Sequence, residues 1–551
     1  MTATVGFVPL EACIVVPARD EQETIAACLA ALATQTGVDP AAYEVLLVLD
    51  ACTDATEEVA AEAVAAHPWL RLRPLQGRGE GVGLARKLGM DLAAGTLLAA
   101  GRGRGLIAST DADSVVAPDW LRTQLDLVAA GADAIGGAID LDGELEDDLL
   151  RRRLVRAQRR MAAILVRDPD AEHHHFSGAS MSVTADAYVT IGGIEPLAAL
   201  EDEALERRLV AAGFGVERPA TVRVSTAPRL QGRAPRGLAA DLALDRWLER
   251  RTYSAAEFTL ERLLECKHES VSVILPAKEC ARTIGPILDH VLTLRGAGVV
   301  DEVLVVDAAS DDGTADLALA LGADVAQEDA LLPEHGPARG KGDAMWRGLA
   351  ATTGDIVVYI DADSSDVDAS FARGAIGPLI CHDDLALVKG AYHRPFRPEH
   401  GEPIPHGGGR VTELMARPLL NLRVPELAGF AQPLAGEIAA RRWLLERLSF
   451  PVGYGVEIAM LIDALREVGL DAMGQVDLGE RRNRHQTLRE LGPMAYSVLV
   501  AAERRLGGDV VPGPYVLPTG TGTDVTTVAV DERPPLAARS ASSRAPRVPH
   551  G

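Results

Sequence analysis

Two stretches decide the fold, Cys13–Pro17 (CIVVP) and Val271–Pro276 (VSVILP). Each is a short β-branched run closed by a proline. Each is followed by polar residues and a helical pattern, over 24–33 in the first case and 283–292 in the second. That order reads as strand, loop, helix. Pro17 and Pro276 lie 259 positions apart, so the chain carries an internal repeat. Both copies continue with a second apolar strand ending in aspartate, Val45–Asp50 before ACTDAT and Val303–Asp307 before AASDDGT. Both then reach the triplet DAD: Asp111-Ala112-Asp113 follows LIAST, and Asp361-Ala362-Asp363 follows IVVYI. Strands alternating with helices through short loops predict an α/β protein of two domains, each on a mainly parallel sheet with acidic loops at its strand ends.

Length and composition agree. At roughly 100–200 residues per domain, 551 residues are too many for one ordinary domain. With 47% hydrophobic and 24% charged residues, there is enough apolar material for real cores. A formal net charge of −24 argues against nucleic acid or an anionic membrane as the main partner. The six cysteines show no paired metal-ligand spacing, so a disulfide framework and a structural zinc site are not indicated, and a reducing cytoplasm fits best. The sequence holds no transmembrane run and no basic-then-apolar leader. The expected division is a first domain over 1–245, a helical connector over 246–268, a second domain over 269–508 and a disordered tail over 509–551, rich in Pro, Gly, Ser and Thr.

Two carboxylates one residue apart after a buried strand suit a hard divalent cation, Mg²⁺ or Mn²⁺, bridging phosphates through oxygen ligands. A lone DAD also occurs as a solvated loop. Its weight here comes from the whole order being present twice. That order resembles the nucleotide-sugar glycosyltransferases of the GT-A fold, which implies two GT-A type domains in tandem. The first copy is similar to family 2 glycosyltransferases. The resemblance implies donor binding by Pro17, Ala18, Glu21, Asp50 and Asp111, metal binding by Asp113, and Asp202 as general base. Arg86 and Lys87 fall in the helix GVGLARKLGMDLA. Inverting transfer needs a carboxylate to take the acceptor's hydroxyl proton. Glu201, Asp202 and Glu203 also suit a helix start, where acidic groups meet the dipole. The run His173-His174-His175 lacks ligands at matched spacing and reads as a solvated loop.

The second copy resembles the glucosyl-3-phosphoglycerate synthase family through GPARGKGDAMWRGLAATTGDIVVYIDAD, GGGRVTELMARPLLNLRVPEL and FPVGYGVEI. The resemblance implies retaining transfer of glucose from UDP-glucose to 3-phosphoglycerate. It implies donor binding by Pro276, Ala277, Asp307, Lys341 and Asp361, and Asp363 as metal ligand. Gly409, Arg410, Val411, Thr412, Tyr454 and Arg481 are implied at the acceptor, and Glu457 among the reacting groups. A glycine-rich turn beside Arg410 can cradle a phosphate. Three departures stand out: Cys280 replaces an expected glutamate, Ala308 an expected serine, and Asn483 the metal-binding histidine, with His485 two residues later as the alternative ligand. Rival readings are a transferase for another sugar or phosphorylated acceptor, or one copy kept as a non-catalytic scaffold; a homodimer is compatible with any of these.

Overall fold

The computed structural model describes residues 8–143, 146–197, 199–229, 236–364, 367–394, 409–481, 487–520 and 522–538. The chain divides into two compact units between Arg246 and Trp247.

In the first unit the strands of the main sheet are β1 (Ala12–Ala18), β2 (Tyr43–Leu49), β3 (Leu72–Gln76), β4 (Leu106–Ser109), β5 (Ala134–Gly136), β6 (Met181–Thr184) and β7 (Val216–Glu217). They lie in the order β3-β2-β1-β4-β6-β5-β7. β1 pairs in parallel with β2 and β4, and β6 runs antiparallel to both its neighbours. β1 is buried along its whole length, which explains its unbroken apolar run in place of alternation. A second small sheet sets Arg223–Thr226 between Ser114–Val116 and Ala138–Leu141. Helices α1 (Val82–Ala99) and α2 (Glu201–Ala211) carry site residues.

The second unit repeats the plan. Its strands are β8 (Thr252–Ser254), β9 (Val271–Ala277), β10 (Glu302–Asp307), β11 (Asp324–Gln327), β12 (Ile356–Tyr359), β13 (Leu387–His393), β14 (Ile438–Arg441) and β15 (Met473–Glu480). The sheet order β8-β15-β13-β14-β12-β9-β10-β11 matches the first sheet strand for strand and adds β8 at one edge. The matching helices are α3 (Lys341–Ala351) and α4 (Val456–Val468). Gly89 of α1 and Gly348 of α3, again 259 positions apart, are needed for the same reason. A Cβ would lie 2.4 Å from Val15 Cγ1 in one unit and 2.7 Å from Ile274 Cγ2 in the other, so only glycine lets the helix settle on its central strand.

Two expected boundaries are corrected. Residues 246–268 are no mere helical connector: Tyr253 of β8 pairs with Val476, the Trp247 indole donates to the Met473 carbonyl at 2.8 Å, and Phe258 and Leu263 lie in the second core. Their apolar side chains are spaced among charges, which hid them in the sequence. The tail is not wholly disordered either. Glu532–Arg533 pairs with Phe450–Pro451, and the Arg533 guanidinium meets the fully buried Asp343 carboxylate at 2.6 Å. One arginine answering a buried carboxylate anchors a segment whose composition promised no core. Among the described residues no helix is long and apolar enough to cross a membrane.

Candidate active sites

In the first unit the DAD loop leaves the end of β4 and meets a cation from α1. Arg86 is buried, its side chain 2% exposed, and donates to Asp111 Oδ1 at 2.8 Å, Glu201 Oε1 at 3.1 Å and Ser109 Oγ at 2.5 Å. Burial works against its charge, but Asp111 and Glu201 more than offset that and raise its pKa. Glu201, not Asp202, therefore carries the buried ion pair. Asp202 follows it in the first turn of α2, half-buried, with Oδ2 accepting from the Gly178 amide at 3.0 Å and Oδ1 from Glu203 at 2.8 Å. Pro17 and Ala18 end β1, and the Asp50 amide donates to the Ala18 carbonyl at 2.8 Å. The Asp50 carboxylate is capped by the amides of Gly79 and Gly81 at 2.7 and 3.1 Å.

Asp113 faces a residue that the sequence reading missed. Arg229 spans to it through Nε at 3.3 Å and grips Glu21 at 2.9 and 2.6 Å. Burial and the Asp111 charge push the Asp113 carboxyl up to about 6, with Arg229 opposing them. The three histidines correct another expectation. They are half-buried: the His175 Nδ1 accepts from the Ile139 amide at 3.2 Å, and burial lowers His174 to about 4 and His175 to about 3.

In the second unit Lys341 is the first residue of α3. Its Nζ lies 2.6 Å from Asp361 Oδ1 and 2.7 Å from Glu457 Oε1. Burial lowers its pKa, but the two carboxylates raise it well above the ordinary lysine value. Gly436 makes room for this cluster, since a Cβ there would lie 2.1 Å from Asp361 Oδ1. Burial and the Asp361 charge raise the Asp363 carboxyl, with Lys341 and Arg394 opposing them; with no arginine in an ion pair with it among the described residues, this oxygen donor suits a divalent metal. Pro276 and Ala277 end β9, paired with Val306 and Asp307. Asp307 accepts from the Ser310 amide at 3.1 Å and the Gln327 side chain at 2.9 Å, and its buried Oδ1 has no hydrogen-bond partner. The Ala308 amide donates to the Ala277 carbonyl at 2.9 Å, so the missing serine leaves the backbone turn in place. Cys280 sits where Glu21 sits in the first unit. The Cys280 amide donates to Thr314 Oγ1 at 2.8 Å, as the Glu21 amide does to Thr56 Oγ1 at 2.7 Å.

Of the glycine run in the acceptor motif, Gly407 and Gly408 lie outside the described residues. Gly409 has φ +67°, its carbonyl accepts from the Glu413 amide at 2.9 Å, and Arg410, Val411 and Thr412 already lie in helical backbone. The N–H groups of a helix start can serve an anion as well as those of a turn. Tyr454 is 49% exposed. Arg481 follows β15, buried, with its guanidinium 3.7 Å over the Phe371 ring. Asn483 and His485 lie outside the described residues. Two further buried groups escaped the sequence reading. Lys389 donates to the Ala435 carbonyl and is lowered to about 7 by burial; Glu437 is raised by burial and then by Asp361. The visible signal was a lone lysine inside the apolar strand LVKGAY.

The family model of Glycosyl transferase family 2 matches residues 13–189 and 272–373, together about half of the chain and reaching into both units. The chain belongs to glycosyl transferase family 2. It is a glycosyltransferase similar over about half its length to glucosyl-3-phosphoglycerate synthases. The one from Mycolicibacterium smegmatis is 44% identical over 48% of this chain and 86% of that protein. The one from Petrotoga mobilis is 39% identical over 45% of this chain and 76% of that protein. A crystal structure of the Mycobacterium tuberculosis glucosyl-3-phosphoglycerate synthase with Mn²⁺, UDP-glucose and phosphoglyceric acid is 41% identical, covering 51% of this chain and 94% of that one, with a TM-score of 0.47.

Proposed function

We propose that the chain carries two nucleotide-sugar transferase sites of GT-A type in tandem, and that the second transfers glucose from UDP-glucose to 3-phosphoglycerate with retention. The observation that carries this reading is Lys341 held between Asp361 and Glu457 at the end of β12. An ammonium fixed by two carboxylates is a preorganised donor for an oxygen that gains negative charge. Asp307, with its unpartnered buried oxygen, and the backbone of Pro276 and Ala277 hold the base and ribose of the nucleotide in this reading. Arg410 with the amides of Gly409, Val411 and Thr412, together with Arg481 and Tyr454, receives the phosphorylated acceptor. Glu457 orients Lys341 and the reacting groups. Asp363, with Asn483 or His485, would hold Mg²⁺ or Mn²⁺, which supplies charge neutralisation for the departing diphosphate.

The first site is proposed as a second nucleotide-sugar transferase with an acceptor of its own. Asp202 is its general base, and Pro17, Ala18, Glu21, Asp50 and Asp111 line the donor side. Six free cysteines suit a reducing compartment such as the cytoplasm.

The test is to incubate the purified chain with UDP-glucose, GDP-mannose and other nucleotide sugars, each with 3-phosphoglycerate, and to read the product by mass and anomeric configuration by NMR. An α-glucosyl phosphoglycerate formed only from UDP-glucose is expected. A mannosyl product would change the donor, and no transfer to phosphoglycerate would overturn the acceptor.

A further inference from the structure

The two DAD loops meet their cations differently. In the second unit the Lys341 and Arg394 charges act on Asp363, but among the described residues it has no arginine in an ion pair with it. In the first unit Asp113 already has one. The Arg229 guanidinium lies 3.3 Å from its Oδ2 and forks onto both oxygens of Glu21, with Nη2 also 3.4 Å from the Thr24 hydroxyl. Glu21 exists only in this copy. Cys280 stands at the same register in the other, on the same amide-to-threonine hydrogen bond, and cannot hold a guanidinium. Arginine and glutamate thus occur together in the first site, whereas cysteine stands at the glutamate's register in the second.

A guanidinium is permanently charged and its fork matches a carboxylate. A divalent ion placed on Asp113 would sit against that positive charge, and its ligands would have to be taken from the Arg229 pairs. The residues of the first site therefore do not fit the metal that the family resemblance implies for Asp113. We infer that the first unit holds its nucleoside diphosphate through the Arg229 guanidinium in place of a divalent cation, so that the chain joins a metal-independent site to a metal-dependent one. The inference rests on the reading of the first unit as a nucleotide-sugar site. With its side chain 31% exposed, Arg229 keeps an open edge to which a phosphate oxygen can add. Glu21 and Asp113 act as positioning residues that hold the guanidinium for that contact.

The test uses the full chain carrying Asp363→Asn, which removes the proposed carboxylate ligand of the second site. Binding of UDP, GDP and ADP is measured by isothermal titration calorimetry in EDTA and in excess Mn²⁺. One of these nucleotides is expected to bind the first site with the same Kd, within about twofold, in both buffers. Adding Arg229→Ala should weaken the EDTA measurement by about tenfold or more, the size of a lost charge-assisted contact. Arg229→Lys, which keeps the charge, should recover part of the loss and shows that the effect is not misfolding. Binding that requires Mn²⁺, or an Arg229→Ala chain that binds equally well or better in EDTA, overturns the inference while leaving the nucleotide reading intact. No binding of any of the three in either buffer overturns the nucleotide reading and the inference with it.

Discussion

Both units tie the first aspartate of DAD to a glutamate on a later helix, but they do it with different cations set one helical turn apart. In the first unit the cation is Arg86, the fifth residue of α1, between Asp111 and Glu201; in the second it is Lys341, the first residue of α3, between Asp361 and Glu457. Counted by the repeat, Val82 stands in the place of Lys341 and Met345 in the place of Arg86. Positions i and i+4 share a helix face, so either can reach the same carboxylates. The arginine is buried, whereas the lysine side chain is 21% exposed and nearer the open end of the site. One geometry therefore ties α1 and α2 to the end of β4, and the other sets its ammonium nearer to solvent.

The sharpest way to break this comparison is to remove each cation. Arg86→Met leaves two acidic groups around an uncompensated buried position and should cost about 3–5 kcal/mol of stability. Hydrogen exchange should accelerate in Val82–Ala99 and stay unchanged in Lys341–Ala351. Lys341→Met should cost less stability and more turnover at the second site. Equal stability losses from both would mean that the two cations play one role.

Next in size is Asp202→Asn, nearly isosteric but unable to take a proton. Transfer by the first site should fall by about 10²–10⁴-fold while nucleotide affinity is retained. Full activity would return the acidic cluster of α2 to a helix-capping role. In the second unit Arg410→Ala should raise the KM for 3-phosphoglycerate by about one to two powers of ten with kcat little changed, because a charge-assisted contact is worth about 1.5–3 kcal/mol. An unchanged KM would take that helix start out of the acceptor site.

The smallest effect concerns Lys389, buried with a pKa lowered to about 7 by burial. Between that value and the ordinary lysine value of about 10.4, the unfolded chain binds more protons than the folded one, so stability rises with pH across this window. Below it, the cost of the buried charge is felt in full. Lys389→Met should therefore raise Tm at pH 7, and the gain should shrink by pH 9.5. A gain independent of pH would show that the lysine is already neutral at pH 7.

The repeat, the proline-ended strands, the DAD loops and the strand-helix order were legible in the residues alone. These are local patterns of period and punctuation, and the two sheets follow them strand for strand. The sequence also sets Lys341, Asp361 and Glu457 in long motifs, and the fold puts the Lys341 ammonium between the two carboxylates. Which groups pair was set by the fold. Arg229 reaches Glu21 from 208 positions away, and Arg533 reaches Asp343 from 190 positions away; neither has any local pattern to announce it. Burial decided it as well: Glu201 and Asp202 are neighbours of like charge, yet only Glu201 is turned to Arg86. Charge pairing depends on distance and desolvation, and both are set by the fold, not by the order of residues along the chain.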